Sequence, residues 1–153
     1  MNIRQGNIRD AARIAELITA LAKKHIAPEF SVEGKKHLLE SFTESAVKKR
    51  FSDSYRYLVA EESGELAGII AMRDNSHIHH LFVADKYQGQ GLSRKLWELA
   101  KQECQDNGNP GKFTVNASNN AVVVYEAFGF KRSAPLQDTN GVLCNPMTLE
   151  LKK

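Results

Sequence analysis

The chain has 153 residues, 42% of them apolar and 25% charged, which suits one domain, 1–153, around a single sizeable core. Against 18 Asp plus Glu stand 21 Lys plus Arg, and the resulting net charge of +3 is too small by itself to call for a nucleic-acid or membrane partner. Met1-Asn2-Ile3-Arg4 runs into a polar segment rather than a signal peptide, and no apolar run approaches the ~20 residues of a membrane span, so a cytoplasmic protein is expected.

In chain order, Asn2-Ile3-Arg4 can start a short strand. Asp10 to Lys24 then carries Ile14, Leu17, Ile18 and Leu21 at the three-and-four spacing of an amphipathic helix. Pro28 interrupts, and Ser31 can cap a second helix with Leu38, Leu39, Phe42, Ala46 and Val47 as its buried stripe. Two strand-like runs, Tyr55 to Glu61 and Glu65 to Met72, join around Ser63-Gly64, and His77 to Val83 follows the turn residues Asp74-Asn75-Ser76. A helix from Leu92 to about Gln105 ends at Asn107-Gly108-Asn109-Pro110-Gly111. Lys112 to Val115 is a short strand, Asn119 to Phe128 a short helix closed by Gly129, and the tail reads as Phe130 to Leu136 and Val142 to Leu151 turned at Asn140-Gly141. The order β-α-α-β-β-β-α-β-α-β-β describes a mixed α/β domain. The basic runs Lys23-Lys24 and Lys48-Lys49-Arg50 fall at predicted helix ends, where they read as solvated termini that suit the helix dipole. Cys104 and Cys144 lack metal-ligand spacing and read as packing residues of a reduced protein.

The segment most specific for chemistry is Gln88-Gly89-Gln90-Gly91-Leu92-Ser93, placed between a strand and a helix. A helix N-terminus leaves its first N–H groups unpaired at the positive end of the dipole, which makes an anion site. Gly89 and Gly91 let the backbone approach a phosphate closely, and Arg94 and Lys95 add charge one turn in. A Walker loop is excluded because Gly91-Leu92-Ser93 lacks the lysine, so magnesium-dependent ATP binding is not expected. A dinucleotide fingerprint is excluded because the loop follows three or four strands instead of the first.

These residues resemble the Gln/Arg-x-x-Gly-x-Gly/Ala loop of the GCN5-related N-acetyltransferase (GNAT) superfamily, with Ser93 in the place usually held by Gly or Ala. Ile78-His79-His80-Leu81-Phe82-Val83 is similar to that family's fourth strand. Phe113-Thr114-Val115-Asn116-Ala117-Ser118 and the run from Ala121 to Phe130 resemble its fifth strand and following helix, and Pro146-Met147 resembles a common ending. The resemblance implies a mixed, mostly antiparallel sheet of six to seven strands flanked by about four helices. It implies an enzyme that moves an acetyl group from acetyl-coenzyme A, the acyl donor, to a primary amine by direct attack on the thioester. The alternative is a non-enzymatic acyl-coenzyme A sensor or regulatory module.

Under that resemblance the backbone of Leu81, Phe82 and Val83 pairs with the pantetheine arm like an added strand, and a main-chain N–H of Phe82 or Val83 polarises the thioester. The loop Gln88, Gly89, Gln90, Gly91, Leu92 and Ser93, with Arg94, holds the pyrophosphate, and Asn116 can bond the pantetheine amides. Tyr125 matches the tyrosine used as general acid toward sulfur, since a phenol of pKa near 10 stays neutral at pH 7. For the base, strand alternation puts His77 and His79 on one face and His80 on the other, and His77 falls about where relatives carry a glutamate. Glu61, Glu62 and an ordered water are the alternatives to His77 and His79. No supporting Asp, Glu or Cys completes a metal site around His77-x-His79. The acceptor, a small-molecule or peptide amine, is expected between the first two helices and the tail hairpin, with Asp53, Glu61 and Glu62 able to attract a cation. The tail strands can pair across a homodimer.

Overall fold

The computed structural model describes residues 1–151. Its strands are β1 Asn2–Gln5, β2 Arg56–Glu62, β3 Glu65–Arg73, β4 His77–Val83, β5 Lys112–Ala117, β6 Lys131–Arg132, β7 Gln137–Thr139 and β8 Val142–Glu150. Its helices are α1 Ala11–His25, α2 Val32–Glu40, α3 Glu44–Ser52, α4 Leu92–Asp106 and α5 Val122–Ala127. The sheet order is β1-β2-β3-β4-β5-β8-β6, with β7 on the far end of β8; every pairing is antiparallel except β4 with β5. Among the described residues no helix is long and apolar enough to cross a membrane.

The mixed, mostly antiparallel sheet of the sequence expectation is present, with eight strands and five helices among the described residues instead of six to seven and about four. Two local causes account for the difference. The single helix expected from Ser31 to Val47 is broken at Ser41, and Thr43 starts α3 by accepting the Ala46 N–H at 3.2 Å. The expected strand from Phe130 to Leu136 is interrupted around Pro135, which has no N–H to donate, leaving β6 and β7 as two short pieces on β8.

Two apolar layers enclose the sheet. On one face α4 and α5 bury Leu96, Trp97, Tyr125 and Phe130 against Ile70, Ile78 and Phe113. On the other, α1 and α3 bury Ile14, Ile18 and Val47 against Tyr57, Val59 and Ile69. Burying a side chain of this kind contributes about 1.5–3 kcal/mol, so the layers fix the plane of the sheet while its strand ends remain free to diverge.

The helix-side wall of that divergence is closed by an interlock. A Cβ on Gly34, in α2, would lie 2.0 Å from the Gly141 carbonyl oxygen, so the helix and the Asn140-Gly141 turn touch backbone to backbone. Both turn residues hold positive φ, 55° and 86°, as the hairpin signal requires.

Candidate functional site

β4 and β5 pair only at His77↔Thr114 and Ile78↔Val115, then separate. The far edge of β4 therefore loses its partner from His79 onward. Its polarity follows from the β3 side: Ala84 donates its N–H to the Ala67 carbonyl at 2.8 Å, and Ile69 stands opposite Phe82. Antiparallel pairs alternate, so the Phe82 N–H points at β3 while those of Leu81 and Val83 point into the gap. Phe82 thus cannot offer the N–H expected of it; its side chain lines the helix-side pocket.

On the α4 side, the gap opens into a cleft of about 320 Å³ lined by Leu81, Val83, Gln88, Gly89, Gly91 and Ser93, with Leu92, Asn120 and Tyr125 also on its walls. Gly89 and Gly91 sit at φ +77° and +76°, and a Cβ on either would meet nothing within 4 Å. Glycine is present there for backbone conformation, and the open space lets a ligand approach the main chain. Lys95 is the first α4 residue to bond back, to the Gly91 carbonyl at 3.1 Å, so the N–H groups of Leu92, Ser93 and Arg94 lack helical partners. The Gln88 amide donates to the Val83 carbonyl at 3.1 Å and tethers the loop to β4. Gln90 does not line the cleft, and the Arg94 side chain turns away: it donates to the Ala127 carbonyl at 3.0 Å and lies over the Phe128 ring.

On the helix side lies a second pocket of about 370 Å³, walled by Phe30, Leu38, Phe42, Val142 and Leu143 and floored by His79, His80 and Phe82. It lies between the first helices and the tail hairpin, where the acceptor was expected. Leu81, Ala121 and Tyr125 border both spaces. Tyr125 is 6% exposed, and burial alone raises its phenol above the usual range, with no hydrogen bond contributing.

The three histidines do not divide between faces as strand alternation predicts. β4 carries a bulge: Ala71 stands opposite His80 and Met72 opposite Ile78, leaving His79 as the extra residue. His79 and His80 consequently lie side by side, centroids 4.2 Å apart, in the floor of the helix-side pocket, while Ile78 faces the α4 core. His80 packs edge-on to Phe42 at 5.1 Å. Burial first, then the Arg50 cation, pushes the His79 imidazole down to about 3; His80 is lowered well below its ordinary value by burial and by His79. His77 lies outside the pockets, bonded through Nδ1 to Thr114 Oγ1 at 2.7 Å, and burial lowers it to about 4.

The predicted acidic groups fall elsewhere. Glu61 sits at the β1 end of the sheet, engaged by Arg4 at 2.6 Å and Arg13 at 3.1 Å, which hold its carboxyl below the usual range. Glu62 faces the N-terminal amine at 3.4 Å, and Asp53 caps α3. None of the three lines the helix-side pocket. Asn116 borders that pocket rather than the loop cleft. Cys104 is buried in the α4 core as expected of a packing residue, but Cys144 borders the pocket, its thiol raised by burial and so held protonated.

Several residues here carried no legible signal. Arg50, expected as a solvated helix terminus, is half-buried, donates to the Ser41 carbonyl at 2.5 Å and lies beside the Tyr57 hydroxyl. Asn145, 1% exposed, donates to the Ala117 carbonyl at 3.1 Å and to Asn119 Oδ1 at 2.8 Å and accepts from Arg132 at 2.6 Å. It thereby ties β8 to the turn that starts α5 and positions Tyr125. Contacts between separate elements, up to 28 residues apart, leave no local pattern to read.

The family model of the acetyltransferase (GNAT) domain matches residues 26–151. No curated protein sequence gives a significant match. Among solved structures, the chain is similar to a GCN5-related N-acetyltransferase from Rhodopseudomonas palustris, at 22% identity and a TM-score of 0.81, covering 98% of this chain and 95% of that one. PaiA N-acetyltransferase from Thermoplasma acidophilum, solved with coenzyme A, is 18% identical at TM-score 0.78, covering 99% and 100%. YncA from Salmonella typhimurium, solved with acetyl-coenzyme A, is 23% identical at TM-score 0.70, covering 100% and 95%. At such identities the structural likeness concerns the fold.

Proposed function

The chain belongs to the GNAT acetyltransferase family, and from that premise we propose that it transfers an acetyl group from acetyl-coenzyme A to the nitrogen of a primary amine by direct attack. The observation that supports this most is the unpartnered β4 edge, which runs from the glycine loop to Tyr125 between the two spaces. The residues fit the donor: two side-chain-free positions, three unpaired helix N–H groups and a free strand edge suit a pyrophosphate joined to an amide-bearing arm. PaiA and YncA, which share the fold, were solved with coenzyme A and acetyl-coenzyme A.

When bound, acetyl-coenzyme A supplies a thioester carbonyl carbon as the electrophile. The N–H groups of Leu92, Ser93 and Arg94 hold the pyrophosphate, and Val83 pairs its main chain with the arm. Leu81, at the junction, directs its N–H at the carbonyl oxygen and stabilises the charge that develops there. The amine enters from the helix-side pocket; its C–N bond forms as the C–S bond breaks. Tyr125, whose buried phenol stays protonated, gives its proton to the departing sulfur. The proton shed by nitrogen leaves through pocket water beside the neutral His79 imidazole, and Tyr125 is reprotonated from solvent. His79 is the one predicted base that borders the pocket. Cys144, held as a thiol, takes no part as nucleophile.

Steady-state thiol release across a panel of primary amines tests the proposal, with acetyl-coenzyme A binding followed by calorimetry. Turnover of at least one amine is expected. Tight acetyl-coenzyme A binding without turnover of any amine would instead assign a non-enzymatic binding module.

A further inference from the structure

Among the described residues, no Asp, Glu, Lys or Arg lines the helix-side pocket. Its apolar walls come from Ile26 and Phe30 after α1, Leu38 of α2, Phe42 in the turn into α3, and Val142 and Leu143 of β8. The titratable groups that do border it are uncharged at neutral pH. Burial lowers His79 to about 3 and His80 well below its ordinary value, and it raises the Cys144 thiol and the Tyr125 phenol. The polar groups of the lining are mostly engaged by the protein itself. Ser41 Oγ donates to the Leu38 carbonyl at 2.6 Å, and Ser118 Oγ to Asn120 Oδ1 at 2.7 Å. His79 Nε2 and His80 Nε2 are sealed from solvent, so neither reaches a ligand. Asn116 and Thr139 are the exposed polar residues of the lining. Carboxylates on the neighbouring segments turn elsewhere. Glu29 accepts from Asn119 Nδ2 at 3.2 Å, and Asp138 accepts the Gly141 N–H at 2.7 Å. Strand alternation sets Asp138 on the face of β7 opposite Thr139.

An electrically neutral pocket has two chemical consequences. An ammonium that enters loses hydration and meets no carboxylate, so its proton is shed more readily and the free amine, which is the nucleophile, is favoured. Any further charge on the acceptor, ammonium or carboxylate, is stranded against the same apolar walls without a partner. A peptide main chain is disfavoured for a related reason, because its successive amide groups need more partners than Asn116 and Thr139 provide. We infer that the acceptor is a primary monoamine with an uncharged aryl or alkyl body, seated against Phe30, Leu38, Phe42 and Val142. This rests on the acetyltransferase reading above and names the substrate class of that same site. Polyamines, amino acids and peptides are poor acceptors by the same arrangement.

Thiol release by the full chain at saturating acetyl-coenzyme A decides it, with acceptors in matched pairs. Phenethylamine is compared with phenylalanine, which adds only a carboxylate, and pentylamine with cadaverine, which adds only a second ammonium. A Phe-headed tripeptide amide completes the panel. The expected kcat/KM of each monoamine is about tenfold or more above that of its charged counterpart and of the peptide, since an uncompensated ion is costly against apolar walls. Leu38→Glu places a carboxylate in the wall, and there the ratio of cadaverine to pentylamine should rise about tenfold or more as the second ammonium gains a partner. If that variant does not fold by circular dichroism, Thr139→Glu, at an exposed lining position, gives the same reading. Charged counterparts that match or exceed the monoamines, turnover confined to the peptide or to amines outside these pairs, or an unchanged ratio in the folded variant overturns the inference while leaving the acetyltransferase reading intact. Acetyl-coenzyme A binding with no amine turned over removes both.

Discussion

The loop cleft and the helix-side pocket share Leu81, Ala121 and Tyr125 yet are built on opposite plans. The anion-binding end of the cleft is made by one continuous stretch, Gln88 to Ser93, and by main-chain groups: glycines at positive φ, free helix N–H groups and a strand edge. The pocket is assembled from side chains on α2, the turn into α3, β4, β5 and the β7–β8 hairpin, elements up to about a hundred residues apart. Main-chain recognition depends on conformation and tolerates many side chains, whereas a side-chain pocket changes with each substitution. One fold can therefore keep a common donor site while its acceptor site diverges.

The sharpest way to break that comparison is at the shared residue. Tyr125→Phe should lower kcat about 100-fold or more by removing the proton donor, with the acetyl-coenzyme A dissociation constant by calorimetry within about twofold. An unchanged kcat would remove Tyr125 from the chemistry. Next, Gly91→Val forces a β-branched residue to φ +76°; such strain costs about 1–3 kcal/mol, so acetyl-coenzyme A should bind about 10- to 100-fold more weakly. Preference among acceptors should not move, and a shift in it would mean that the two regions are coupled. Gly34→Ala acts in the other region: the new Cβ forces the Gly141 turn away, at about 1–3 kcal/mol for overpacking, and should raise KM for the acceptor while acetyl-coenzyme A affinity holds.

The smallest expected effect is on stability against pH. His77 and His79 are lowered to about 4 and about 3 in the folded chain, against 6.5 as model values. Between those limits the unfolded chain binds more protons than the folded one, so stability rises with pH through this window. It is complete above about pH 6.5 and is lost as pH falls, by about 1 kcal/mol per histidine at pH 5.5. Groups that set the effect are Arg50, Arg73 and Asp74 as well as the neighbouring rings. Asp10 and Glu61, which their arginines hold below ordinary carboxylate values, lose their stabilisation only at more acid pH. Melting temperatures should fall by about 10 °C from pH 7 to 5 and by less in His77→Gln; a flat wild-type profile would contradict the burial argument.

How far the sequence could be read follows the same division. The strand–loop–helix unit, the Asn140-Gly141 turn and the amphipathic stripes of α1 and α4 are local patterns, and each is present where periodicity and glycine spacing put it. The histidine faces were misassigned because a bulge is set by pairing with β3, and nothing within His77 to Val83 records it. Arg50 belonged to a basic run that looked solvated, and only the packing of α3 over β2 and β4 turns its guanidinium inward. Asn145 looked like any strand residue until β5, β6 and the start of α5 converged on it.

Taken by itself, the sequence determined the element order, the glycine loop and, through resemblance, the family, because these depend on spacing within a few turns of chain. Tertiary structure alone decided the β4–β5 opening, which N–H groups face it, and the largely apolar pocket on the helix side. Those properties arise where distant segments meet, and burial, pairing and electrostatic partnership exist only once they have met.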